Sequence, residues 1–495
     1  MRLRTLAAST ATILLTSAVV VMSAADDLRL IEAVKSGNRV SVRALLKQKI
    51  DVNAAQGDGA TALHWAAYRD DLESADLLIR AGANVNQVND LRVTPLMLAA
   101  TNGSSAMVGR LLLAAANPNA SLESGETPLM AAARTGSAET VRLLLGKGAA
   151  VNAAESWRNQ TALMWAAAQR RSEVVRVLIE GGANLDGRTK TWWELVNPTG
   201  SEDGTAVEWV EQGGFTALMF AARENDVESA RVLIEKGASI DRTAANGATA
   251  LVIAAHSNSP GVARMLLDKG ANPNAADAGY AAIHLAILHA DVDLVKALLA
   301  HGANPNLVLE RATAGRRASA ELQLRPAVLG ATPFWIAARF GQPAIMQALG
   351  DSGAAARFVK MTSVPAVVQP SEVNGRPIPE PAGMTALMAA LSQENIRRRL
   401  LTPTANAEEL VVLEAARIAV GLGVDVNALD EDGEGAMHRA ARLRFNSVVQ
   451  FLADKGARLD VRNSIGQTPL MIASAGGRGA NAATAELLRK LGAKE

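Results

Sequence analysis

The residues able to do chemistry in this chain are few and scattered. Six histidines stand at His64, His256, His284, His289, His301 and His438. A zinc hydrolase of the H-E-x-x-H type places two histidines four apart on one helical face, with a glutamate as base. The nearest pair here, His284 and His289, is five residues apart, which turns about 140° around a helix. The 495 residues include no cysteine, which excludes a thiol nucleophile, disulfides, thiolate-bound metals and covalent haem attachment. Gly477-x-Gly479-x-x-Ala482 imitates a dinucleotide fingerprint without the strand and βαβ unit that would give it meaning. Asp430-Glu431-Asp432-Gly433 has the look of a calcium loop, but Arg439 stands where the closing bidentate glutamate belongs. No G-x-x-x-x-G-K-[ST] phosphate loop and no G-x-S-x-G nucleophile turn occurs. Carboxylates and histidines recur at an interval instead of converging, so the sequence predicts no catalytic residue, no metal ligands and no cofactor.

The interval is the dominant signal. A tetrapeptide recurs as TALH at Thr61–His64, TPLM at Thr94–Met97 and Thr127–Met130, and TALM at Thr161–Met164. It returns as TALM at Thr216–Met219, TALV at Thr249–Val252, TPFW at Thr332–Trp335, TALM at Thr385–Met388 and TPLM at Thr468–Met471. The first steps are 33, 33, 34, 55 and 33 residues. Two alanines follow most copies, then LL or LI, then GA-x-x-N or GA-x-x-D. Each part has a mechanical reason. The threonine suits a helix N-cap. Pro95, Pro128, Pro333 and Pro469 fall at the first helical position, where a missing N–H costs nothing. Ala66 and Ala67 let neighbouring helices approach, Leu77, Leu78 and Ile79 supply a buried face, and Gly82 ends the second helix in the left-handed conformation. A period of this length and content marks a helical repeat array.

The clearest unit, Asp58 to Asn86, resembles the ankyrin repeat, and the chain after its N-terminal segment resembles that family throughout. Weaker copies start at Ala281 and Gly435, a partial first unit runs from Asp27 to Asn53, and a last unit starts at Ser464. The resemblance implies an all-α ankyrin-repeat solenoid of about twelve helix-turn-helix units with hairpin fingers and four insertions. It also implies that histidine at the TALH position of His64, His284 and His438 hydrogen-bonds between adjacent units, a structural role.

The expected domains are a signal peptide over 1–25, units one to five over 26–186, a Trp-rich insertion over 187–213 and units six to eight over 214–306. An Arg-containing insertion over 307–329, unit nine over 330–354, a Pro-rich insertion over 355–382 and units ten to twelve over 383–495 follow, with an internal insertion near 395–410. Arg2 and Arg4, the apolar run from Leu6 to Met22 and Ser23-Ala24-Ala25 read as an export signal cleaved near Ala25. An uncleaved anchor helix is the alternative. The net charge of +1 gives no global field toward nucleic acid or a membrane surface.

The insertions carry the chain's individuality. The first contains Trp192, Trp193 and Trp209 among five carboxylates, the second Arg311, Arg316, Arg317 and Arg325, the third five prolines, and the fourth Arg397, Arg398 and Arg399. The first three should extend the fingers, where insertions often build a binding face; the other reading is that tryptophans pack and arginines solvate. The resemblance further implies that finger residues before the threonine and residues after the Ala-Ala pair face a concave groove. The candidates for partner contact are therefore Tyr68, Arg69, Arg134, Phe215, Arg223, His256, Tyr280, His289, Arg339, Phe340 and Arg442, with Trp157 on a finger and Trp192, Trp193 and Trp209 in the insertion. The expected function is a non-catalytic, periplasmic or secreted monomer that binds a protein partner, with no nucleic acid and no membrane span in the mature chain. The alternatives are an accessory subunit stabilising an exported enzyme, an enzyme or small-ligand receptor with a pocket built by the insertions, and an effector delivered to a host cell.

Overall fold

Each repeated threonine opens a helix. In the computed structural model, the Thr94 hydroxyl accepts from the Met97 N–H at 3.1 Å, and Thr127, Thr161, Thr216, Thr249, Thr385 and Thr468 cap their helices in the same way. Pro95, Pro128, Pro333 and Pro469 stand in the first turn. The structure describes residues 28–196, 208–313, 324, 326–361, 381–392, 405–475 and 482–494; the expected signal peptide lies outside them. Among these residues no helix is long and apolar enough to cross a membrane.

The described residues fall into two units. The first takes the chain to Lys190 and then Gly214–Ser239. It holds six helix pairs: 28–35 with Arg39–Lys47, Ala62–Tyr68 with Leu72–Arg80, Pro95–Asn102 with Ser105–Leu113, Pro128–Thr135 with Ala138–Gly146, Ala162–Ala168 with Ser172–Glu180, and Ala217–Arg223 with Val227–Glu235. The Ala-Ala pairs at 66–67, 99–100, 132–133, 166–167 and 221–222 are all fully buried, so consecutive inner helices pack on methyl groups. Outer helices bury Leu78, Leu111, Leu144, Leu178 and Leu233, each contributing about 1.5–3 kcal/mol by burial. The step of 55 residues does not break this stack. Ala162–Ala168 packs directly on Ala217–Arg223, and Ser172–Glu180 on Val227–Glu235. Arg176 reaches Glu228 at 3.0 Å, and Asp186 accepts from the Ser239 N–H at 3.0 Å.

The second unit comprises Thr191–Gly213 and Ile240–Glu495. Its helix pairs are Ala250–His256 with Pro260–Asp268, Ala282–Leu288 with Val292–Ala300, Pro333–Arg339 with Pro343–Asp351, Ala386–Ala390 with Ala405–Gly421, Ala436–Leu443 with Asn446–Asp454, and Pro469–Ser474 with Ala482–Lys490. The twelve pairs match the number of units expected. Pair ten differs in detail: its outer helix begins at Ala405 and runs 17 residues where the others have nine, so it takes in the end of the span read as the fourth insertion. Arg397–Arg399, Arg316, Arg317 and Arg325 lie outside the described residues.

The insertions also add strands to a helical fold. Thr191–Val196 and Glu208–Gly213 pair antiparallel, with Trp193 opposite Glu211 and Leu195 opposite Trp209. Val359–Lys360 pairs with Met384–Thr385 at the ends of the Pro-rich insertion. Fingers join by single backbone bonds: the Asp90 N–H donates to Asp58 at 3.0 Å, Ser156 to Ser124 at 2.7 Å and, in the second unit, Ser464 to Asp432 at 2.8 Å. Gly247 shows how close these approaches are. Its φ is +84°, and a Cβ there would stand 2.5 Å from the Asp277 carbonyl carbon.

Candidate functional site

The three TALH histidines are wired into the stack. His64 Nδ1 accepts from the Thr61 N–H at 3.1 Å, and its Nε2 donates to the Val93 carbonyl of the next unit at 3.0 Å. His284 does the same between Ala281 (3.1 Å) and Leu307 (2.8 Å), and His438 between Gly435 (3.1 Å) and Val461 (2.9 Å). Burial lowers all three pKa values, that of His284 to about 4. A neutral imidazole with one acceptor and one donor nitrogen is what these bonds need. The acidic run at Asp430 is likewise a turn: Asp430 accepts from the Asp432 and Glu434 N–H groups at 3.0 and 2.8 Å and meets Arg439 at 2.6 Å. Among the described residues no three His, Asp or Glu side chains gather as a metal site would require.

The candidate surface of the first unit lies on the ends of inner helices and on fingers. Tyr68 is 59% exposed and meets Trp65 edge-on at 5.8 Å. Arg69 is exposed. Trp157, at a finger tip, is 75% exposed, with the Arg158 guanidinium 4.5 Å from its ring centre. The buried Glu155 carboxylate shapes that finger by accepting from the N–H groups of Trp157, Arg158 and Gln160 at 2.7–2.9 Å. Arg134 stacks 5.2 Å from the Trp165 ring and pairs with Glu126 at 3.3 Å. Arg223 lies 5.1 Å from Phe220 and pairs with Glu224 at 2.8 Å. Phe215 is half-buried, 5.9 Å from Phe220. Lys35, 4.6 Å over Trp65, belongs to the same set. The sequence reading missed Lys35, Trp65 and Trp165. A signal existed: the tryptophans share one register position four residues after the capping threonine, and Lys35 and Arg134 share another.

In the second unit, His256 is exposed and His289 is half-buried, its Nε2 hydrogen-bonding the His256 carbonyl at 3.0 Å. Tyr280 is half-buried, and burial raises its pKa. Arg442 is exposed and held by Glu434 at 2.8 Å; with Arg444, Gln467 and Ile472 it lines a cleft of about 280 Å³. Arg339 and Phe340 depart from the expectation. Arg339 is only 2% exposed and donates to the Ser392 hydroxyl, and Phe340 is buried too. The following helix pair covers this place: Trp335, one turn before Arg339, is also buried and donates from Nε1 to the Met384 carbonyl at 3.0 Å. These two residues are core rather than contact surface. On the hairpin, Trp192 is half-buried, while Trp193 and Trp209 are 63% and 62% exposed.

A family model described as ankyrin repeats (three copies) matches residues 30–121, 96–189, 195–277, 218–308 and 407–494. Among curated proteins, palmitoyltransferase akr1 of Schizosaccharomyces pombe is 42% identical over 65 residues, 13% of this chain and 10% of that protein. Cell division cycle-related protein res1/sct1 of the same yeast is 56% identical over 48 residues, 10% of this chain and 8% of that protein. The chain thus spans a tenth or less of these two relatives. Among solved structures, the human ASB11 ankyrin repeat domain aligns at a TM-score of 0.41 and 28% identity, over 49% of this chain and 98% of that domain.

Proposed function

The chain belongs to the ankyrin-repeat family, and from this premise we propose that it binds a partner protein, without catalysis or cofactor, through its inner-helix ends and fingers, as a monomer exported to the periplasm or cell exterior. Ankyrin repeats are in general non-catalytic protein-interaction modules. The observation that supports this reading here is the exposed pair of Tyr68 and Trp157 among stacked cations in the first unit. Aromatic and arginine side chains dominate the energetics of protein interfaces. Holding Arg134 and Arg158 against indole rings restricts their rotamers before binding, so less entropy is lost on association. In the second unit, His256, Tyr280, His289 and Arg442 and the hairpin tryptophans are the corresponding candidates.

The test is affinity for a partner co-purified from the native source. Tyr68→Ala and Trp157→Ala should each cost at least about 2 kcal/mol if they are anchors, with circular dichroism unchanged. Glu180→Ala, at the end of the outer helix Ser172–Glu180, and Lys236→Ala, at the C-cap of the next outer helix, should bind as the parent does. Normal binding by both aromatic variants contradicts the proposal. The export part predicts a mature N-terminus at or near Asp26, and a cytoplasmic protein that retains Met1 contradicts it.

A further inference from the structure

The hairpin is anomalous among the places where this chain puts tryptophan. All four tryptophans outside it carry a cation of the chain over the ring: Lys35 on Trp65, Arg158 on Trp157, Arg134 on Trp165 and Lys360 on Trp335, at 4.5–5.6 Å from the ring centres. Trp193 and Trp209 are both largely exposed, and among the described residues no cation stands over either ring. Directly paired residues of an antiparallel ribbon point to the same face. The register therefore puts Trp193, Leu195, Trp209 and Glu211 on one face, and Leu195 is 49% exposed as well. The twelve strand residues include Glu194, Glu208 and Glu211 and no Lys, Arg or His. A two-stranded ribbon is marginal in water by itself, and here its apolar face is open.

We propose that this hairpin docks a basic, amphipathic, extended segment of the partner protein. Alternate apolar side chains of the segment would cover Leu195 and the indole edges, while its Lys or Arg side chains stack on Trp193 and Trp209 and pair with Glu211. The proposal rests on the protein-binding reading above and adds the chemistry of the partner. Charge decides between occupants. A lipid surface would also accept tryptophans, but an anionic one repels a strand pair carrying three carboxylates and no cation. A cationic strand satisfies Glu211 and the rings of its face together.

The experiment titrates the full chain with two strand-length synthetic peptides, one alternating Lys and Val, the other Glu and Val, followed by tryptophan fluorescence and calorimetry. The Lys peptide should bind and weaken as salt rises; the Glu peptide should not. Trp193→Ala with Trp209→Ala should reduce affinity on the order of tenfold or more. Glu211→Gln, which keeps both rings and the strand pairing, should reduce it severalfold and flatten the salt dependence. Equal binding of the two peptides, binding of neither, or unchanged affinity in both the tryptophan and the Glu211 variants overturns the proposal. So does preferential binding to phosphatidylcholine or phosphatidylglycerol vesicles, which assigns the face to lipid. Self-association of the chain that the tryptophan variant abolishes also overturns it, by assigning the face to a second copy. If the Lys peptide fails while Tyr68→Ala and Trp157→Ala still weaken the native partner, this inference falls and the protein-binding reading stands.

Discussion

Acidification should loosen the stack at His284 before the pH at which carboxylates protonate, and His284→Met should remove that sensitivity. His284 is fully buried. Its Nδ1 accepts from Ala281 and its Nε2 donates to Leu307, so a second proton would destroy the acceptor. Burial lowers its pKa from the ordinary 6.5 to about 4. At about 1.36 kcal/mol per pH unit, that gap is worth about 3 kcal/mol. The sign follows from proton uptake: between pH 6.5 and about 4 the unfolded chain binds a proton that the folded chain refuses. The full contribution is therefore present above pH 6.5, falls through this window, and changes no further below it. Methionine is the residue at the same position in six other copies, and Met219 shows how it fits, its sulfur accepting the Thr216 N–H at 3.4 Å. At pH 7 His284→Met should cost about 1–3 kcal/mol, because the Leu307 carbonyl loses its donor. Hydrogen exchange of Ala282–Leu288 and Val292–Ala300 at pH 7 and 4.5, corrected for intrinsic rates, reads the local stability. The parent should lose most of about 3 kcal/mol more than the variant on acidification. An equal loss in both would refute the buried neutral imidazole.

Leu78→Ala, at a side chain with no exposed surface, should cost about 2–5 kcal/mol, confined to flanking helix pairs; uniform loss of exchange protection along the chain would contradict nearest-neighbour stability. Gly247→Ala should cost more in urea melts than Gly82→Ala. Both glycines are left-handed, at φ +84° and +90°, which costs an alanine about 1–2 kcal/mol, but only at Gly247 does the new methyl meet backbone. Equal losses would contradict the close approach of the Gly247 finger to the Asp277 backbone.

The threonine caps and the N1 prolines were legible because each acts within a few residues of itself, where spacing and chemistry coincide; the TALH histidines, which bond to the next unit at Val93, Leu307 and Val461, were read from the family resemblance. The Trp-rich insertion was legible as an extended finger because the same register resumes behind it, at Thr216. The asparagines of GA-x-x-N were only half read. Asn53, Asn86, Asn119 and Asn152 each donate to the carbonyl that ends the next outer helix and accept from an N–H two residues later, a ladder whose steps of 33 were in view. The burial of Arg339 and Phe340 was not legible. Register fixes which way a residue leaves its helix, but what then lies over it depends on contacts such as Trp335 to Met384 and Arg339 to Ser392, formed across an insertion with no period. The cations stacked on Trp65 and Trp165 escaped for a similar reason, since each pair joins successive units rather than neighbours in sequence.

The measurement that bears most directly on the central claim is a hydrogen-exchange footprint of the full chain with and without its co-purified partner. The account predicts protection at the inner-helix ends and fingers, around Tyr68–Arg69, Trp157–Arg158 and Arg223, and on the strands Thr191–Val196 and Glu208–Gly213. The outer helices Leu72–Arg80 and Ala138–Gly146 should be unchanged. Protection confined to those outer helices would contradict it.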